Sequence, residues 1–287
     1  METPTKQLKN GFSMPVFGIG TWGMGGKRQP DTSGDPADIA ALRRAIELGI
    51  SHIDTAEAYG GGHSEELVGE AIRGHDRTSL FIVSKALPEN AAPERLHTAA
   101  KESLRRLQLE YLDGYLLHSR NTKVPLSETM MALDQLVDQG LVRHIGVSNF
   151  NKESLEEAQK HAKHPVVLNQ VHYNLEYREP EASGLLEDMQ ANDVFLSAYQ
   201  PVARGTLRDD FQTLQNLGDK YGKTPYQVAI NWLISQKNVI TLSKMTNERH
   251  LKENLGALGW ELESRDIELL RTEYPEQKTI SDPTPLG

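Results

Sequence analysis

Four side chains able to move protons or hold charge stand at the ends of short apolar runs. Asp54 lies at the end of SHIDT (51–55), with Tyr59 five residues further on; Lys85 ends LFIVSK (80–85), and His118 ends LDGYLLH (112–118). Aspartate is depleted in strands and costly to bury without a partner, so Asp54 is either a cap or a working group. If the second and third runs lie side by side, the Lys85 ammonium meets the Asp54 carboxylate and each offsets the burial penalty of the other. That ammonium, directed at Tyr59, favours phenolate and lowers the tyrosine's pKa, while a His118 N–H can donate to the same reacting oxygen. A tyrosine so tuned is a general acid for an alkoxide forming on a carbonyl carbon. Taken singly, the four read as a turn cap, a surface aromatic, a rim charge and a polar group at a core edge. Jointly, at the ends of adjacent strands, they read as chemistry. Lys85 is the one good covalent nucleophile, and its aspartate partner argues against a free amine.

The runs that position these groups number eight. The others are VFGIG (16–20), HIGVSN (144–149), VVLNQV (166–171), VFLSAY (194–199) and NVITLSK (238–244). None alternates polar with apolar, the pattern of parallel strands covered on both faces. Helical stretches separate them: 38–48 ending at Gly49, 64–74 with Ser64 as N-cap, 93–107, 127–139 closed by Gly140, 151–161, 180–190, 225–235 and 247–255. Strict alternation with no dividing linker predicts an α/β fold, a closed (β/α)8 TIM barrel, with residues 1–287 as one catalytic domain. Residues 5–14 carry an Asn-Gly turn signal and predict an N-terminal hairpin plugging the barrel bottom. Segments 206–223 and 263–274 predict extra helices outside the barrel. In such a barrel chemistry sits at the carboxyl ends of the strands, which adds Ser148, Asn149, Gln170, Tyr199 and Lys244 to the candidates.

Composition narrows the partners. The 287 residues are 38% hydrophobic and 25% charged, with a net charge of −9 spread along the chain. No basic stripe exists, which argues against nucleic acid or an anionic membrane as partner. Cysteine is absent, so disulfides and thiolate metal sites are excluded and a reducing compartment is compatible. The first residues lack the apolar core of a signal peptide, and no apolar run approaches the ~18 residues that span a bilayer. The expectation is a cytoplasmic globular protein. The histidines other than His118 show no metal-ligand spacing, and no metal is expected.

The motifs DTAEAYGGGHSEELVGEAI (54–72), VSKAL (83–87), YLLHS (115–119), IGVSNF (145–150), NQVHYN (169–174) and KMTNERHLKEN (244–254) follow one another in order after GIGTWG (18–23). In these the sequence resembles the aldo-keto reductases, over most of its length. The resemblance implies that Asp54, Tyr59, Lys85 and His118 are the catalytic tetrad, with Tyr59 as proton donor and His118 polarising the substrate carbonyl. It implies that Gly20, Thr21, Trp22 and Asp54 border the coenzyme, that Trp22, Tyr59 and His118 border the substrate, and that Ser148, Asn149 and Gln170 hold the nicotinamide carboxamide. Tyr199 matches the aromatic on which the nicotinamide stacks. In QPVARGTL (200–207), Gln200, Pro201, Val202, Arg204 and Gly205 match the segment that wraps the pyrophosphate.

The family binds its dinucleotide extended, without a Rossmann domain. The glycines of TWGMGG and AYGGGHS accordingly lack the context of a dinucleotide fingerprint. Lys244 matches the lysine that meets the 2′-phosphate of NADPH. Met245 stands where the family often has serine, and His250 where it usually has arginine, with Arg249 one residue earlier. Neighbouring helical side chains diverge by about 100°, so Arg249 replaces that arginine only with a shift of register. Glu253 and Asn254 match adenine contacts, and Asn247 opens the helix. NADPH is the expected coenzyme, with NADH as the alternative left open by Met245 and His250. The segments after His118 and Tyr274 that shape the family's substrate pocket are short, implying an open, permissive site.

The expected function is reversible NADPH-dependent reduction of an aldehyde or ketone by a monomer or weak oligomer, with a small-molecule carbonyl as partner. A cofactor-sensing accessory subunit with slow redox activity is the alternative. A Schiff-base lysine at Lys85 is disfavoured by Asp54.

Overall fold

The computed structural model describes residues 3–208, 211–275, 277–282 and 284–287. Two short antiparallel strands, β1 (Thr5–Gln7) and β2 (Ser13–Pro15), form the N-terminal hairpin. Its turn residue Gly11 takes φ +90°, and the Asn10 side chain accepts the Phe12 amide at 2.9 Å. Leu8, Phe12 and Met14 point into the barrel floor and pack on Val83, Leu116, Val167, Leu168, Phe195 and Ile240. The hairpin is the expected plug.

The barrel and its helices follow in order: β3 (Phe17–Gly20), α1 (Asp35–Glu47), β4 (His52–Asp54), α2 (His63–Ile72), β5 (Phe81–Ala86), α3 (Pro93–Leu107), β6 (Leu112–Leu117), α4 (Leu126–Asp138), β7 (Val142–Ser148), α5 (Lys152–His161) and β8 (Val166–His172). Then come α6 (Glu179–Ala182), α7 (Leu185–Ala191), β9 (Phe195–Tyr199), α8 (Gln212–Tyr221), α9 (Pro225–Ile234), β10 (Val239–Ser243), α10 (Glu248–Leu255) and α11 (Ser264–Glu273). Strands β3 to β10 are all parallel and close on one another, β10 pairing with β3. This is the (β/α)8 barrel expected from the alternation of runs.

Local chemistry explains the boundaries. Helix α9 opens on a capping box in which Thr224 and Gln227 exchange side-chain and backbone bonds, with Pro225 in the first turn. Asn151 and Asn247 cap α5 and α10 by accepting the amides of Ser154 and His250. Two expectations need correction. Ser64 is not the N-cap of α2: the helix starts at His63, and the Ser64 hydroxyl turns inward to bond Thr21 Oγ1 at 2.9 Å. The stretch 180–190 is not one helix, because Gly184 takes φ +73° and divides α6 from α7. The two extra helices are present outside the barrel as α8 and α11, while residues 209–210 of the first stretch lie outside the described residues.

Candidate active site

The register of the barrel brings the chemistry together. Asp54, the last residue of β4, pairs with Val83 of β5, and Lys85 lies two residues further along that strand on the same face. The Lys85 ammonium donates to Asp54 Oδ1 at 2.6 Å, to the Thr55 carbonyl at 2.8 Å and to the Tyr59 hydroxyl oxygen at 3.4 Å. Its three N–H bonds are therefore all engaged, and Lys85 and Asp54 are 0% and 1% exposed. Gln170, from the opposite side of the barrel, donates to the second Asp54 oxygen at 2.7 Å. The carboxylate is thus satisfied on both oxygens, as a buried charge must be.

Because the Tyr59 oxygen accepts from Lys85, its own proton is free to be donated elsewhere. The ring lies edge-on to Trp22 (centroids 5.1 Å apart) and to His118 (5.6 Å). Tyr59, Trp22 and His118 thus lie together beyond the strand ends. Trp22 is 40% exposed, unusual for so large an apolar side chain.

The electrostatics differ from the sequence expectation in one respect. Lys85 does pull the Tyr59 pKa down, but burial of the phenol outweighs it, and Asp54 adds to the rise; the net direction is upward. Tyr59 is held protonated. Desolvation of the phenol is the largest influence, and the Asp54 carboxylate offsets part of what the Lys85 charge does against it. Burial alone would lower the Lys85 pKa, yet Asp54 and Tyr59 raise it overall. Burial and then the Lys85 charge depress His118 to about 3, so its imidazole is neutral. His118 Nδ1 is buried without a protein partner.

Around this core lie the other expected residues. Ser148 and Gln170 pair across β7 and β8, and the Ser148 hydroxyl donates to the Gln170 carbonyl at 2.8 Å. Asn149 takes φ +60° and donates to the His118 carbonyl at 3.0 Å, while its own side-chain oxygen accepts from the Tyr199 hydroxyl at 3.0 Å. Tyr199 lies parallel to His172, 5.3 Å away, so one face of its ring is taken. Gly20 ends β3 beside Asp54, and Thr21, directly after the strand, donates its amide to the Asp54 carbonyl at 3.0 Å. After β9 the chain curls through left-handed positions at Gln200, Ala203, Arg204 and Gly205, a backbone strain characteristic of functional loops. Pro201 is buried, and Val202 packs against the core.

At the far end Lys244 is exposed, with no hydrogen bond or ion pair among the described residues; a Cβ on Gly23 would lie 3.1 Å from its ammonium. One position departs from expectation. Met245 is 1% exposed and packs within the apolar core, so its side chain faces no phosphate. The Arg249 side chain lies against His250, Nη2 to Nε2 3.1 Å. Glu253 meets the Thr224 hydroxyl, and Asn254 meets Ser243.

Sequence reasoning missed several contacts. The Asp54–Gln170 bond joins residues 116 apart and has no local signal. The Thr55 carbonyl is a backbone group and carries none either. The C-terminal segment folds over the strand ends: Ser281 bonds His172 at 2.8 Å, and the Gly287 amide donates to the Asn149 carbonyl at 3.0 Å. Glu57, inside the first motif, accepts from the Leu87 amide and the Asn90 side chain and so ties the loop after β5 to the Tyr59 loop.

Residues 16–273 match the model of the aldo/keto reductase family. The chain belongs to that family. It is 36% identical to the methylglyoxal reductase YeaE of Escherichia coli, with 97% of each chain covered. Among solved structures it is similar to a thermostable aldo-keto reductase in complex with the inhibitor epalrestat (43% identity, TM-score 0.91, 94% and 99% of the two chains). It is also similar to an aldo-keto reductase from Klebsiella pneumoniae in complex with NADPH (36% identity, TM-score 0.84, 97% and 98%). As a member, the chain is an NAD(P)H-dependent oxidoreductase. Among the described residues no helix is long and apolar enough to cross a membrane, and no cluster of three metal-ligating side chains occurs.

Proposed function

We propose that the chain, acting as one catalytic barrel, reduces aldehydes or ketones to alcohols with NADPH, and that Tyr59 donates the proton. The observation carrying this reading is the Tyr59 oxygen held by Lys85 at 3.4 Å within a buried Lys85–Asp54 pair, beside a neutral His118. The family and the NADPH-bound relative support the coenzyme. The residues present fit it: Asn149 and Gln170 offer amides suited to a carboxamide, and Tyr199 has one ring face not taken by His172. Lys244 and Arg249, near the start of α10, suit a phosphate. Bound NADPH supplies hydride to the carbonyl carbon. His118 offers a neutral N–H to the carbonyl oxygen, Tyr59 passes its proton to the same oxygen, and Lys85 stabilises the phenolate left behind.

The three engaged N–H bonds of Lys85 disfavour a Schiff-base mechanism. A cytoplasmic location, where reduced dinucleotide is held, and a monomer or weak oligomer belong to the same proposal. The test is Tyr59→Phe, read as NADPH oxidation at 340 nm against a panel of carbonyl compounds, alongside NADPH binding by fluorescence. We expect turnover to fall about 10²–10⁴-fold with coenzyme affinity kept. Near-normal turnover by the variant would discard Tyr59 as the donor.

A further inference from the structure

The two glycine segments, TWGMGG and AYGGGHS, are left unexplained by any fingerprint reading, and the structure places them against each other. Gly60, directly after Tyr59, donates its amide to the Lys27 carbonyl at 2.9 Å, and a Cβ at Gly60 would lie 2.4 Å from the Gly25 carbonyl oxygen. Gly60 takes φ +56° and Gly25 φ +66°. Only glycine permits such backbone-to-backbone contact. The contact is clipped at its edge by His63, whose Nε2 meets Asp35 at 3.0 Å and whose Nδ1 meets Glu66 at 2.8 Å. The loop after β3 is thereby fixed to the loop carrying the proposed proton donor.

That loop and the start of α1 line an open cleft of about 980 Å³, with Trp22, Lys27, Arg28 and Pro30 in its wall. Trp22 also stands edge-on to Tyr59, so the cleft and the carbonyl site share a wall. Lys27 and Arg28 are exposed, and neither side chain has an ion pair or hydrogen bond among the described residues. Asp31 and Asp38 line the same cleft, and with Asp35 at the start of α1 their oxygens already accept hydrogen bonds. Asp31 accepts from the Ser33 amide and hydroxyl, Asp38 from the Gly25 amide, and Asp35 binds His63. Lys27 and Arg28 thus line, together with Asp31 and Asp38, a cleft that shares Trp22 with the reacting position, and neither cation has a carboxylate partner among the described residues, so each is left to pair with an incoming anion.

We propose that this cleft is a distal substrate subsite, and that Lys27 and Arg28 select carbonyl compounds bearing an anionic group, carboxylate or phosphate, at the end remote from the carbonyl. The proposal rests on the carbonyl-reductase reading of the Tyr59 site and adds a substrate class to it. Trp22 covers the middle of such a substrate while Tyr59 and His118 take its carbonyl. Arg28 suits either anion through its planar fork, and Lys27 adds a point charge.

The test compares 4-carboxybenzaldehyde, 4-formylphenyl phosphate and benzaldehyde as substrates of the NADPH-saturated enzyme and of the Lys27→Gln/Arg28→Gln double variant. Two partly exposed charge contacts predict a loss of about five- to thirtyfold in kcat/KM for both anionic substrates. Benzaldehyde should change less than about twofold. Raising ionic strength should erode the wild-type preference for the anions but leave benzaldehyde unaffected. Unequal losses for carboxylate and phosphate identify which anion the site prefers. An equal loss for all three aldehydes, no loss for either anion, or a weakened NADPH affinity would overturn the subsite, the last by assigning the cations to the coenzyme. If no carbonyl is turned over at all, the function proposed above fails instead. The subsite is then read directly, by calorimetric titration of 4-(hydroxymethyl)benzoate against benzyl alcohol onto the NADP⁺-loaded wild type and double variant. Equal affinities throughout reject it.

Discussion

Replacing Lys85 by methionine should separate what the buried ion pair does for stability from what it does for chemistry. Lys85→Met keeps much of the side-chain volume but removes the cation that holds Asp54 Oδ1 at 2.6 Å, in surroundings where both residues are almost fully buried. The Gln170 bond to the other carboxylate oxygen remains, so Asp54 is left charged, half-satisfied and dry. Breaking a buried pair from one side costs about 3–5 kcal/mol. At an m-value of ~3 kcal/mol/M for a chain this long, the urea midpoint should fall by about 1–1.7 M. Asp54→Asn strands the ammonium instead and should cost a similar amount. The double variant Lys85→Met/Asp54→Asn strands neither charge, and its asparagine oxygen can still accept from Gln170. Its loss should therefore fall at least about 2 kcal/mol short of the sum of the singles. Urea unfolding followed by circular dichroism measures all four corners. Carbonyl reduction should stay lost in the double variant even as stability returns, because nothing then stabilises a Tyr59 phenolate. Additivity of the two single losses within about 0.5 kcal/mol would refute the reasoning.

Two other outcomes are expected. His52 and His172 are buried and His118 is half-buried, with folded-state pKa values lowered to about 4, 4 and 3, chiefly by desolvation. Their shared contribution to stability is present above the unfolded value near ~6.5 and is lost as pH falls towards those folded values. Each can add at most about 1.4 kcal/mol per pH unit in that window, so guanidinium unfolding at pH 7.5 and pH 5 should differ by several kcal/mol. Equal midpoints at the two pH values contradict the burial argument. At the coenzyme end, Lys244→Met should raise the KM for NADPH about tenfold and leave that for NADH nearly unchanged. A parallel rise for both coenzymes would remove Lys244 from the 2′-phosphate.

How much of this was legible depends on how local the signal is. A parallel strand buried on both faces is written as a short uninterrupted apolar run, and a polar residue at its end stands out, so Asp54, Lys85 and His118 are readable one strand at a time. The Asn10–Gly11 turn and the capping asparagines are readable for the same reason. What escapes is contact across the barrel. Gln170 reaches Asp54 over 116 residues, and no spacing rule connects β8 to β4. Helix limits fail where a side chain finds a distant partner, as Ser64 does in Thr21, or where one glycine adopts a left-handed turn, as Gly184 does. The direction of the Tyr59 pKa escapes as well, because the sequence displays the cation and the carboxylate but not the depth at which they neutralise each other.

That last point bears on the direction of the reaction. A tyrosine whose pKa is raised keeps its proton throughout the neutral range, so the acid needed for reduction is always loaded, while the phenolate needed to oxidise an alcohol is scarce. On this view Lys85 limits the cost of losing the proton rather than encouraging its loss beforehand. Its stabilising field is fully expressed only once Tyr59 becomes an anion, when charge on the phenolate draws on an ammonium already fixed 3.4 Å away. The stabilisation is thus greater after proton transfer than before it, which is the condition for an interaction to lower a barrier rather than merely tighten binding. A neutral His118 fits the same logic. In the proposed mechanism it would polarise the carbonyl without adding a second positive charge beside Lys85, whose repulsion is one of the two causes of its own lowered pKa. Burial therefore does opposite things to the two groups, keeping a proton on the phenol and a second one off the imidazole. Both suit the proposed delivery of one proton as hydride arrives.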